Sequence, residues 1–141
     1  GIPGLRLGYG LCSDTNLLER MEEVRQPWSV SIPAQEAGIA ALDETGWRRK
    51  VKSYVAEQRI WLTRELESMG CKVYPSSANY LLFYLEQELM EPLRRNNGIL
   101  IRDCSNYRGL TKGYYRIAVK TEEENRQLLD VMRDAIDKED L

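Results

Sequence analysis

The chain has 141 residues, 43% of them hydrophobic and 30% charged, and carries a formal net charge of −2. That is the composition of one globular domain with a real core, and it excludes the basic field that a nucleic-acid surface needs and the run of roughly 20 apolar residues that crosses a bilayer. Histidine is absent and the three cysteines, Cys12, Cys71 and Cys104, lie far apart. Histidine-based metal sites, Ser-His-Asp triads and Cys-His dyads are therefore excluded within this chain, no metal site is expected, and reduced thiols of a cytoplasmic protein are the expectation.

In chain order, residues 4–10 come first. They alternate, with Leu5, Leu7 and Tyr9 on one face and Gly4, Arg6, Gly8 and Gly10 on the other, which predicts a strand. Glycines in a strand mark close approach of a ligand or a backbone. An arginine among them can aim its guanidinium at an anion, although a solvent-facing arginine on an edge strand satisfies the same pattern equally well. Ser13 or Asp14 can cap a short helix over 14–25 with Leu17, Leu18, Met21 and Val24 on one side. A second helix is expected from about Pro33, since proline suits a first turn, and Gly46 is expected to break or bend it. From Trp47 the spacing of Val51, Tyr54, Val55, Leu62, Leu66 and Met69 is amphipathic at helical period, and Gly70 is a good stop.

The second half changes character. Residues 72–74 and 80–85 read as strands across a Pro-Ser-Ser turn, 86–96 as a helix that Gly98 can end, 99–102 and 114–119 as strands, and 103–113 as the loop between them. Thr121 and Glu124 form a capping box that opens a last helix faced by Leu128, Met132 and Ile136. The expected class is α+β, a small sheet with helices on one face, with the opening strand orphaned from it.

Two arginines stand out. Arg102 ends the apolar run GILIR and Arg116 interrupts YYRIAV. If the two strands pair around the loop, both guanidiniums fall near its loop end, which is costly unless anions sit between them. One possibility is a clamp for a small molecule with two anionic groups, such as a carboxylate and a phosphate. The other is that each pairs with a nearby acid, Asp103 being the obvious one for Arg102. Tyr107 and Asn106 in the loop could reach a ligand or, as ordinary turn residues, hold the loop, and Trp28 and Tyr80 read as core or interface residues.

Several stretches then resemble one family. IPGLRLGY is similar to the segment after the cofactor-carrying lysine of fold-type I pyridoxal-phosphate enzymes, and QPWSVSIPAQEAG to their substrate-channel and interdomain-helix segment. SANYLL, GILIRDCSNYRGL and YYRIAVKTEEEN resemble, in order, the small-domain strands of the histidinol-phosphate aminotransferases and the related threonine-phosphate decarboxylases of the class I/II aminotransferase superfamily. PWSV, ILIRDCSNY and YYRIAV look more like the decarboxylase branch.

The resemblance implies the tail of a cofactor-binding large domain over 1–30, an interdomain helix region over 31–70 and a C-terminal small domain over 71–141. It also implies pyridoxal 5'-phosphate as the cofactor of a homodimeric parent, with Arg6 on the cofactor phosphate, Arg116 on the substrate α-carboxylate and Arg102 on the substrate phosphate. The implied activity is decarboxylation of threonine O-3-phosphate to aminopropanol phosphate in cobalamin biosynthesis, with amino transfer from histidinol phosphate as the alternative. The family's cofactor-carrying lysine falls upstream of Gly1, so this chain is expected to hold no catalytic residue. It would then be a fragment that is inactive alone, lacks the cofactor, and pairs its orphan strand with a second copy. A free-standing module that binds an anionic metabolite or a partner protein without catalysis is the other class of reading.

Overall fold

The computed structural model describes residues 3–137; Gly1 and Ile2, which open the first motif, lie outside them. The packing divides the chain into two compact units, Gly1–Arg49 and Lys50–Leu141.

In the first unit the expected strand over residues 4–10 is not formed. Pro3–Leu5 make a single 3-10 turn, closed by a hydrogen bond from Arg6 N to Pro3 O of 3.1 Å. Arg6 itself has φ +55°, which breaks the alternation. The physical reason is the lack of a partner: a strand satisfies its backbone only against another strand, and residues 3–49 contain none. Helix α1 (Thr15–Val24) starts where Asp14 accepts a hydrogen bond from Leu17 N at 3.1 Å. Helix α2 (Ile32–Asp43) is capped by Ser31 with proline in its first turn. Leu7 lies against α2 at Gly38, where an added Cβ would collide with its side chain. Glu44, rather than Gly46, makes the break before α3 (Thr45–Ser68).

The boundary between the units falls inside α3. In the second unit α3 ends on Gly70, whose φ is +81°, with Cys71 N donating to Leu66 O at 3.0 Å and Gly70 N to Glu67 O at 3.0 Å. That is the left-handed glycine stop expected from the sequence. Strands β1 (Lys72–Val73), β2 (Tyr80–Tyr84), β3 (Arg102–Asp103) and β4 (Tyr114–Ala118) form an antiparallel sheet in the order β1-β2-β4-β3. Helix α4 (Met90–Asn97) joins β2 to β3 and helix α5 (Glu122–Asp137) follows β4. One sheet face, carrying Leu81, Phe83, Tyr115 and Ile117, is buried with Leu62 and Leu66 of α3, Leu93 of α4, and Leu129 and Met132 of α5. The helices thus cover one face and leave the other open, as the alternation in β2 and β4 requires.

Two polar devices fix this layer. Asn125, 1% exposed, accepts from Lys120 N at 3.0 Å and donates to Lys120 O and to Gln58 Oε1 at 3.1 and 3.0 Å, so the end of β4 is tied to α3 with every amide group satisfied. Thr121 and Glu124 form the capping box: Glu124 N donates to Thr121 Oγ1, and Thr121 N and its hydroxyl donate to Glu124 Oε2. The Lys120 ammonium first, and the Thr121 hydrogen bonds after it, hold the Glu124 carboxyl down at about 2. Because this carboxyl titrates lower when folded than when unfolded, its contribution to α5 is complete above the ordinary glutamate range and is lost as pH falls through about 2. A carboxyl-carbon NMR titration is expected to place the Glu124 midpoint well below the ordinary glutamate range; an ordinary midpoint would disprove the box in solution.

Candidate functional site

The open face of the sheet carries three rows read directly from the register. Lys72, Tyr84 and Tyr114 form one, Leu82, Arg116 and Arg102 the next, and Tyr80 and Ala118 the third. Arg102 and Arg116 are direct cross-strand partners, so their Cβ atoms stand about 4.5–5.5 Å apart, an arrangement that is unfavourable for like charges. The expectation that β3 and β4 would bring the two arginines together is met by pairing rather than by mere proximity.

What holds each guanidinium is neutral. Arg102 Nη2 donates to Asn106 Oδ1 at 2.8 Å, and its Cζ lies 5.3 Å from the centroid of the Tyr107 ring. Arg116 Cζ lies 5.1 Å from the Tyr80 ring centroid. Among the described residues neither arginine forms an ion pair. Asp103, the acid expected to neutralise Arg102, follows it in β3 and so points to the other side of the sheet. There it accepts from Ser105 N and Ser105 Oγ, each at 2.8 Å. The backbone hydrogen bond first, and the hydroxyl second, hold its carboxyl below the usual range, with Arg102 a smaller cause.

Asn106 and Tyr107 thus do more than shape the loop. Tyr107 N does close a turn onto Cys104 O at 2.9 Å, but both side chains also bear on Arg102. Of the two places expected for Tyr80, core or interface, the core is ruled out: Tyr80 is 43% exposed, lies on the open face and underlies Arg116. Its parity was visible in NYLLFY, where Tyr80, Leu82 and Tyr84 alternate against the buried Leu81 and Phe83. Trp28, in the first unit, is 97% exposed with φ +58° and is not core either.

The neighbouring row adds aromatic surface. Tyr114 packs on Tyr84 at 5.0 Å and on Tyr74 at 5.9 Å between ring centroids, and the Tyr74 and Tyr114 hydroxyls are 3.2 Å apart. That hydrogen bond is the main cause that raises the Tyr114 phenol above its ordinary range. Lys72 Nζ lies 5.4 Å from the Tyr74 ring centroid. The three rows and Tyr74 therefore present three cations, four tyrosines and no carboxylate, a surface suited to anions bearing an organic body.

Arg6 belongs to the first unit. Its exposed guanidinium donates to Pro3 O at 3.2 Å and forms no ion pair among the described residues, so the donor set fits a phosphate. Added Cβ atoms at Gly4, Gly8 and Gly10 would meet nothing within 4 Å, so packing among the described residues does not demand those glycines. Two of the three thiols are poorly placed as nucleophiles: Cys71 and Cys104 are buried, whereas Cys12 is exposed, and burial pushes the Cys71 thiol up to about 11.

Comparison with known proteins gives a consistent family. A family model for aminotransferases of class I and II matches residues 1–132. The threonine-phosphate decarboxylase of Salmonella typhimurium is 38% identical over 138 residues, which are 96% of this chain and 38% of that protein. The histidinol-phosphate aminotransferase of Nitratidesulfovibrio vulgaris is 37% identical over 139 residues, 96% of this chain and 36% of that protein. Among solved structures, the histidinol-phosphate aminotransferase from Clostridium acetobutylicum matches with a TM-score of 0.86 at 26% identity, covering 98% of this chain and 43% of that one. The L-threonine-O-3-phosphate decarboxylase from Porphyromonas gingivalis matches at 0.78 and 25% identity, covering 97% and 43%. The chain spans less than half the length of these relatives.

Proposed function

The chain belongs to the class I and II aminotransferase family, and we propose that it is the C-terminal part of a pyridoxal-phosphate-dependent threonine-phosphate decarboxylase that binds the substrate through Arg116 and Arg102. The observation that carries this is the cross-strand pair of arginines with neutral partners only. Two unneutralised cations side by side are stable in function only if an anionic ligand joins them. Arg116, central in the sheet, takes the α-carboxylate; Arg102, at the loop end of the edge strand, takes the phosphate. Arg6 takes the phosphate of pyridoxal phosphate. Residues 1–30 then close the large domain, 31–70 link the domains and 71–141 form the small domain of a homodimeric cytoplasmic parent. No helix among the described residues is long and apolar enough to cross a membrane.

When bound, the cofactor supplies an electron sink for the bond that breaks at the substrate Cα. The chain's own contribution is orientation. A decarboxylase must direct the bond from Cα to the carboxylate for cleavage, whereas an aminotransferase must direct the Cα–H bond, so the residue that grips the carboxylate affects the outcome as well as the affinity.

Similar identity to a histidinol-phosphate aminotransferase, together with the TM-score of 0.86, favours a second reading: the same fold and cofactor with amino transfer as the reaction. The deciding experiment supplies the full-length protein with pyridoxal phosphate and threonine O-3-phosphate and follows carbon dioxide. A parallel reaction supplies histidinol phosphate and 2-oxoglutarate and follows glutamate. Carbon dioxide is the expected product; glutamate without carbon dioxide would replace the decarboxylase by the aminotransferase.

A further inference from the structure

The paired arginines raise a problem of physical chemistry that their ligand alone does not solve. Two long, flexible cations on neighbouring strands repel, and each would ordinarily swing toward solvent or toward the nearest carboxylate. Either movement would destroy a fixed spacing. An acid partner would hold an arginine still but would also cancel the charge that attracts an anion. An amide oxygen and an aromatic face hold it still without a formal charge.

We propose that Asn106, Tyr107 and Tyr80 are positioning residues that fix the Arg102 and Arg116 guanidiniums by neutral contacts alone, so that this face selects ligands with two anionic groups over ligands with one. The proposal deepens the substrate reading above and rests on it. The contacts are the 2.8 Å hydrogen bond from Arg102 Nη2 to Asn106 Oδ1, the Tyr107 ring 5.3 Å from Arg102 Cζ, and the Tyr80 ring 5.1 Å from Arg116 Cζ. Tyr80 reaches Arg116 because it pairs with Ala118, two residues further along β4 on the same face, the diagonal distance at which an aromatic ring still makes contact. Asn106 reaches Arg102 because Tyr107 N closes a turn onto Cys104 O at 2.9 Å and folds the loop back. The local acid is withheld by two independent means: strand alternation sends Asp103 to the other face, and Ser105 occupies both its oxygens at 2.8 Å. A single-anion ligand gains from one guanidinium; a ligand with two anions gains from both only while their spacing is kept. Neutral holders therefore act on the ratio of the two affinities.

The test measures binding of threonine O-3-phosphate and of inorganic phosphate to the full-length protein without cofactor by following arginine Nε–H resonances, with the melting temperature recorded for each variant. In Asn106→Asp the carboxylate can accept the same hydrogen bond but pairs ionically with Arg102. The melting temperature is expected to stay level or rise while the dissociation constant for threonine phosphate rises at least tenfold and the preference over phosphate collapses. Tyr80→Phe keeps a ring face and is expected within twofold of the unaltered protein, whereas Tyr80→Leu is expected to weaken binding at least threefold. Unchanged affinity in Asn106→Asp and Tyr80→Leu would overturn the positioning role while leaving the arginine assignment standing. Loss of affinity in step with loss of melting temperature would also overturn it, in favour of a structural role. If the unaltered full-length protein binds neither probe, the arginine assignment itself fails, and the positioning role with it. Should Asn106→Asp fail to fold, the Tyr80 pair decides the question alone.

Discussion

On the proposed decarboxylase reading, replacing Arg116 by alanine in the full-length protein is expected to lower kcat/KM for threonine phosphate by roughly thirtyfold to several thousandfold, the scale of losing one partner of a desolvated charge pair at about 2–5 kcal/mol. Three features put Arg116 at the top of that range rather than among surface arginines worth a few tenths. It lies in β4, between β2 and β3, so its backbone is fixed on both sides. It is half-buried and packed over Tyr80, so its charge is less screened than that of a free side chain. No carboxylate competes for it among the described residues. Arg116→Lys is expected to recover only part of the loss, because an ammonium cannot match the two-pronged geometry of a guanidinium on a carboxylate. A loss below fivefold in Arg116→Ala, with the fold intact, would remove Arg116 from the substrate.

The largest structural effect is expected at Gly113, which turns the chain into β4. Its φ is +89°, a conformation that costs a side-chain-bearing residue about 1–2 kcal/mol. An added Cβ would also lie 2.7 Å from Leu85 O and 2.7 Å from the Tyr84 ring, distances at which something must move, and overpacking of this kind costs about 1–3 kcal/mol. The neighbour cannot easily yield, because Leu85 N is bonded to Gly113 O at 2.9 Å. Gly113→Ala is therefore expected to lower stability by about 3 kcal/mol, a large share of the 5–15 kcal/mol typical of a domain, seen as a fall in the urea midpoint at unchanged slope. Gly70→Ala, with a similar φ but nothing within 4 Å of the added Cβ, is the control that separates strain from collision. Equal losses at the two positions would mean that the clash at Gly113 relaxes freely.

Much of the second unit was legible because periodicity and caps agreed there. Leu62 and Leu66 on the long helix, the Gly70 stop, the Thr121–Glu124 box and the parity of YYRIAV each point to a burial pattern that the structure shows. The arginine pair was legible only as a consequence of topology: β3 and β4 must be neighbours before Arg102 and Arg116 can face each other, and a loop of this length allows that without dictating it. The contacts that hold the guanidiniums were not legible, since Asn106 and Tyr107 look like turn residues by composition. The opening segment was misread for a physical reason. Alternation in residues 4–10 describes which sides a strand would have, but only a partner strand makes it one, and Arg6 and Leu7 instead follow a 3-10 turn and a seat on α2. Trp47, at the start of the long helix, is 63% exposed although it shares the apolar spacing, because periodicity marks a face and not what covers it.

Strand β3 is only two residues long and lies at the edge of the sheet. Short edge segments open locally at a small fraction of the global unfolding free energy, and each opening carries Arg102 away from Arg116 while leaving the core layer closed. The apparent affinity for a ligand that bridges both arginines is the intrinsic affinity multiplied by the fraction of time the edge is zipped. A bridging ligand in turn acts as a clasp across the last rung of the ladder, and slows amide exchange at Cys104, whose N–H is bonded to Tyr114 O at 2.8 Å. The rim of the sheet is thus a latch whose closed population and whose ligand are thermodynamically the same variable.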